Sequence, residues 1–190
     1  MATPAADLAR GYMAATWGLR LVQLAQVNET IVTPEGTIDK NTAGEWQKLF
    51  TARQAIYREA IQKRGVATFA GSYRFLSASP SCAMTGSSFA MMIADERFGQ
   101  HMTISQSGPE LLLKWADVQL IGFREAWAVE NSLAFSDPMN SYYTHIGELN
   151  GNQLIIRPQA DFLNSWPPAE RGPREADIRS CAITLVREKS

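Results

Sequence analysis

The stretch His101-Met-Thr-Ile-Ser-Gln-Ser-Gly-Pro-Glu-Leu-Leu-Leu-Lys-Trp115 decides the fold. Its period is two. Met102, Ile104 and Gln106 fall on one side, and His101, Thr103 and Ser105 on the other. After the turn signal Ser107-Gly108, Leu111, Leu113 and Trp115 share a face. Successive strand side chains point to opposite faces, so this pattern reads as two strands, each with one buried face.

The same rhythm runs outward in both directions. Tyr73 and Phe75 alternate, and Phe89, Met91 and Ile93 lie opposite Ala90 and Met92. Val118, Leu120 and Gly122 begin a further strand that continues to Trp127 and Val129, followed by Leu133 and Phe135. Tyr142, Thr144 and Ile146 oppose Tyr143 and His145. Turn signals recur at Glu130-Asn131-Ser132, Asp137-Pro138 and Asn150-Gly151, the last a strong type I′ hairpin signal. Eight or nine short strands with tight turns predict an antiparallel meander closing as a β-barrel or packing as a β-sandwich. The expected core is Phe75, Met91, Ile104, Leu113, Leu120, Ile146, Ile156 and Ile183. Asp161 to Asp177, with Trp166-Pro167-Pro168 and Gly172-Pro173, reads as a long connection over a barrel mouth.

Before Gly65 the period is helical. Leu8, Tyr12, Ala15, Leu19, Val22 and Ala25 form a stripe that Trp17, Leu21 and Leu24 widen. Gly11 and Gly18 interrupt it, at roughly 1 kcal/mol each relative to Ala. Thr33-Pro-Glu-Gly-Thr37 is turn chemistry. A second helix runs from about Thr42 to Lys63, with Thr42 and Glu45 at capping-box spacing and Gly65 as its stop. The expected class is therefore α+β: a helical hairpin in 1–66, then an antiparallel barrel domain in 71–190.

The two cysteines, Cys82 and Cys181, stand near the start and inside the last strand-like run, Ile178 to Arg187. A bridge between them would close a loop of about 100 residues and stabilise the fold by roughly 4–5 kcal/mol. It would also place the protein in an oxidising compartment. The alternative is two separate buried thiols and a cytoplasmic protein. Ala2-Thr3-Pro4-Ala5-Ala6 resembles a mature N-terminus left by signal cleavage, with Met1 added for expression. Net charge is −1, from 18 basic and 19 acidic residues, which gives no general attraction to nucleic acid. No apolar run reaches the ~18 residues of a spanning helix.

The layout from Gly71 to Arg187 resembles the lipocalin-like (calycin) small barrels of the bacterial envelope. The matching segments are Gly71-Ser72-Tyr73 before Cys82, and the hairpins Thr103–Gly108 and Ile146–Gly151. The closing strand Cys181-Ala-Ile-Thr-Leu-Val-Arg187 completes the match. Tyr73 stands where lipocalins usually carry Trp. The resemblance implies a barrel that binds an apolar small molecule.

The expected lining is Met91, Met102, Trp115, Tyr142, Tyr143 and His145: adaptable thioethers, and aromatic bodies with polar tips. Cofactors and metals are not expected. His101 and His145 are the only histidines, and no ligand spacing joins them to Asp95, Glu96 or Glu148. Ser87 and Ser88 follow Gly86 outside any nucleophile-elbow motif. Three functions remain: a non-catalytic barrel that binds an apolar molecule or docks onto an assembly; an accessory subunit using its helical segment on a protein partner; and an enzyme using Tyr142, Tyr143 or His145 as acid–base groups.

Overall fold

The computed structural model describes residues 3–27, 30–33, 35–87, 89–90, 93, 101–115, 123–136, 143–160 and 175–189, with only the backbone of 123, 143 and 160. Two helices, α1 (Ala5–Val27) and α2 (Ala43–Arg64), flank a small hairpin of β1 (Ile31–Thr33) and β2 (Gly36–Ile38). Eight strands follow: β3 (Gly71–Ala78), β4 (His101–Ser107), β5 (Glu110–Trp115), β6 (Phe123–Val129), β7 (Ser132–Ser136), β8 (Tyr143–Asn150), β9 (Gln153–Ala160) and β10 (Ile183–Arg187). Each pairs antiparallel with its neighbour, and β10 pairs with both β9 and β3. The sheet is a closed barrel, not a sandwich.

The opening stretch behaves as its period demands. Met102 pairs with Trp115 and Ile104 with Leu113, and all four are buried inside. The inward set continues through Tyr73, Leu111, Leu133, Phe135, Leu154, Ile156, Ile183 and Leu185. Phe75 is only partly buried against this core. Met91 and Leu120, two more expected core residues, lie outside the described residues.

Ile146 corrects the inside–outside reading. It is buried on the outer face, with Trp127, Val129 and Ala134, beneath Leu8, Tyr12 and Met13 of α1. Its neighbour His145 faces inward. Because α1 covers β6–β8, these strands are buried on both faces, and alternation there does not say which face is inside.

Three local readings also change. Phe89, Ala90 and Ile93 are helical rather than strand. Residues 175–180 form a helix, so the last strand begins at Ile183, after Cys181. Thr42 makes no side-chain cap on α2. Instead Asp39 Oδ1 accepts the backbone N–H groups of Asn41 and Thr42 at 2.8 and 2.9 Å, an Asx turn leading into the helix.

Gly11 and Gly18 turn out to be notches. A Cβ on Gly11 would lie 2.0 Å from Cζ of Tyr57, and one on Gly18 2.5 Å from the Phe50 ring. Two rings one heptad apart on α2 thus fill two gaps one heptad apart on α1. The helices approach closely because a side chain is missing at each contact.

The two ends of the barrel differ. At one, the hairpins are two-residue turns: Gly108-Pro109, Glu130-Asn131 and Gly151-Asn152. Gly151 has φ +60° at the first central position, whereas Asn150 ends its strand and Asn152 has no positive φ, so the hairpin expected as a type I′ turn at Asn150-Gly151 has the type II′ pattern one residue on. Residues 65–70 cross beneath this end. There the Gln106 amide accepts from Phe69 N–H at 2.8 Å and donates to the carbonyls of Ala67 and Gly108, each at 3.0 Å. The Tyr73 hydroxyl donates to Phe69 O at 2.7 Å, while the Arg187 guanidinium lies 5.2 Å over its ring and donates to its oxygen. This contact joins the first and last barrel strands and seals the end. The strand ends that carry the four longer connections, between β3 and β4, β5 and β6, β7 and β8, and β9 and β10, lie at the other end.

Candidate functional site: the long-connection end of the barrel

Two of these long connections are fastened together. Cys82, in a 3-10 turn (Pro80–Met84), is disulfide-bonded to Cys181 with Cα atoms 4.7 Å apart. Beside the bridge, Ser79 N–H donates to Ala182 O at 2.9 Å, and Ala182 N–H donates to Ser79 Oγ at 3.2 Å.

From Cys82 the chain turns into the barrel through a relay of short polar contacts. Thr85 Oγ1 donates to Cys82 O at 2.9 Å and accepts Ser87 N–H at 3.1 Å. Ser87 Oγ accepts Ala90 N–H at 3.1 Å, the N-cap geometry of the short helical turn. The same oxygen lies 2.8 Å from His145 Nε2 on β8. Each group is buried, and the relay supplies the hydrogen bonds that burial makes obligatory.

The turn carries Phe89 into an aromatic cluster. Its ring packs edge-on against Trp115 at 5.5 Å, Phe135 at 5.1 Å and His145 at 4.8 Å between centroids. Phe135 and His145 stack at 4.9 Å. Such geometry suits the aromatic quadrupoles.

Of the expected lining, Met102, Trp115 and His145 are therefore brought to this end. They are 1%, 2% and 0% exposed, and Phe89 packs against Trp115 and His145. Met91 and Tyr142 lie outside the described residues, as does the side chain of Tyr143. Trp115 Nε1 is buried and has no hydrogen-bond partner among the described residues.

The Ser87–His145 contact had no signal in the sequence, because 58 residues separate the two and no motif spans them. A hydroxyl beside an imidazole is the geometry by which a base activates a nucleophile. Both groups are fully buried here, so the pair serves to hold the Phe89 turn against β8. His101 is on the exposed face of β4, 3.5 Å from Glu188. Among the described residues, no group of three His, Cys, Asp or Glu side chains converges to hold a metal ion. Nor, among the described residues, is any helix long and apolar enough to cross a membrane.

No protein-family model matches the chain. No curated protein matches it. Among solved structures, it is similar to a crystal structure of a mutant of the fluorescent protein UnaG. Identity is 10%, the match covers 64% of this chain and 96% of that one, and the TM-score is 0.37.

Proposed function

We propose that this chain is a non-catalytic barrel of the bacterial envelope that takes an apolar small molecule at its long-connection end. The observation that carries the reading is the Trp115 N–H, buried in an aromatic wall without an acceptor among the described residues. An unsatisfied buried donor costs about 1–3 kcal/mol, which a guest supplying an acceptor recovers. The expected guest has an apolar body and one hydrogen-bond acceptor. It contacts Met102, Trp115 and His145 from the mouth, with Met91, Tyr142 and Tyr143 completing the lining. Because Phe89 packs against Trp115 and His145, uptake requires the Phe89 turn to withdraw. The sealed opposite end leaves one way in. The disulfide supports a compartment outside the cytoplasm.

The test is titration with a hydrophobic fluorophore and with apolar carboxylic acids and ketones. Replacing Trp115 by benzothienylalanine keeps the bicyclic ring and removes the donor, and should weaken guests that carry an acceptor about tenfold while sparing pure hydrocarbons. Absence of binding to the native protein, or equal loss for both guest types, refutes the reading.

A second reading is favoured by one observation. Trp17, Leu24 and Val27 of α1 and Val32 of the small hairpin are exposed, although Leu21 between them is half-buried. Such a surface fits an accessory subunit that meets a protein partner through its helical segment. Leu24→Asp and Val27→Asp would then abolish partner binding and leave guest binding unchanged.

A further inference from the structure

Helix α2 gives α1 only one of its faces. Ala43, Phe50, Gln54 and Ile61 are buried there, and Tyr57 fills the Gly11 notch. On the opposite face, Glu45, Leu49, Ala52, Ile56, Glu59 and Lys63 recur at alternating steps of four and three residues. That is the spacing of a coiled-coil seam. Leu49 is 40% and Ile56 63% exposed. A shallow groove lined by Gly44, Gln47, Lys48, Thr51, Ala52 and Ala55 flanks the seam, sharing Ala52 with it.

We propose that this seam pairs with the same seam of a second copy, the two α2 helices lying antiparallel across a two-fold axis. The charges choose both the partner and the direction. A parallel pair would set Glu45 against Glu45, Glu59 against Glu59 and Lys63 against Lys63. The antiparallel pair sets Lys63 against Glu45 of the second copy, at both ends of the contact. In that register Ile56 faces the small Ala52 of the second copy, and Leu49 lies along the aliphatic stem of its Glu59. The small residues Ala52 and Ala55 fall near the axis, where close approach needs them. Sliding by one heptad would instead place Ile56 against Glu45. Glu45 has no ion pair among the described residues, whereas Lys63 holds Glu59 of its own helix at 2.6 Å. The two-fold contact is isologous, so each copy satisfies the other.

One helical seam with three apolar residues per copy is small for a stable interface. The dimer is therefore expected to form with a Kd of about 10–100 µM. Sedimentation equilibrium of the full chain over ~5–500 µM tests this. Ile56→Glu should leave a monomer throughout with an unchanged melting transition, since Ile56 is exposed in the monomer. Glu45→Lys and Lys63→Glu should each weaken association about tenfold. An equimolar mixture of the two should regain it as a heterodimer, because both end contacts become complementary again. A monomer at every concentration overturns the proposal. So does a dimer indifferent to Ile56→Glu, or a mixture no tighter than its components. Circular dichroism of each variant confirms that α2 is intact before association is scored.

Discussion

Replacing both halves of the bridge, Cys82→Ala with Cys181→Ala, tests how the long-connection end is held. The two residues are 99 positions apart. Cross-linking a loop of that length removes denatured-state entropy equal to roughly 4.7 kcal/mol at 25 °C in the chain-entropy model. The native contacts beside the bridge survive the change, because Ser79 and Ala182 still exchange hydrogen bonds at 2.9 and 3.2 Å. The folded state should therefore keep its shape, and the loss should come mainly from the freed unfolded chain. The expected cost is about 2–5 kcal/mol. For a chain of this size it lowers the melting temperature by about 2–4 °C per kcal/mol. Urea unfolding supplies a second signature. The uncrosslinked denatured state exposes more surface, so the m-value should rise along with the fall in midpoint. A loss below ~1 kcal/mol with an unchanged m-value would refute the reasoning. It would mean that the denatured chain already holds its two ends together without the covalent link.

Gly18→Ala should destabilise the fold by about 1–3 kcal/mol despite Ala's higher helix propensity. The added Cβ would lie 2.5 Å from the Phe50 ring, and Phe50 is buried with no room to retreat. Combining it with Phe50→Leu should recover part of the loss, and stabilisation by Gly18→Ala alone in a thermal melt would contradict the notch. Ser87→Ala strips an acceptor from Ala90 N–H and a partner from His145 Nε2, so a loss of about 1–3 kcal/mol is expected, with faster hydrogen exchange at Ala90. The Arg20–Glu125 pair ties α1 to β6, and its hydrogen bond to Arg20 holds the Glu125 carboxyl below the usual range. A carboxyl depressed on folding stabilises above its unfolded pKa and loses that contribution as pH falls through its folded value. Arg20→Met should thus cost less than about 1 kcal/mol at neutral pH, both side chains being nearly half exposed, with the difference from the native protein vanishing in acid. A gap that widens on acidification would contradict this sign.

The sequence by itself determined the α+β class, the switch of period between Gly65 and Gly71, and the hairpins. Those signals are local: the alternation through His101–Trp115 and the hairpin turn at Gly151 each depend on a few adjacent residues. Cys82 and Cys181 also announced their bridge as one of two readings, since they bracket the strands. Tertiary structure decided the rest. Closure into a barrel depends on β10 reaching both β9 and β3, a pairing that no local pattern encodes. Ile146, expected in the barrel core, is buried on the outer side because α1 covers the outer faces of β6–β8, so apolar character no longer marks the interior there. Phe89 alternated as a strand residue would, yet it folds as a turn tied across the barrel by the Ser87–His145 contact. Gly11 and Gly18 read as helix weaknesses because their value lies in Tyr57 and Phe50, on another helix. Short-range sterics and side-chain period are written along the chain, whereas burial, and with it the cost or gain of each polar group and each missing side chain, depends on what long-range packing places opposite.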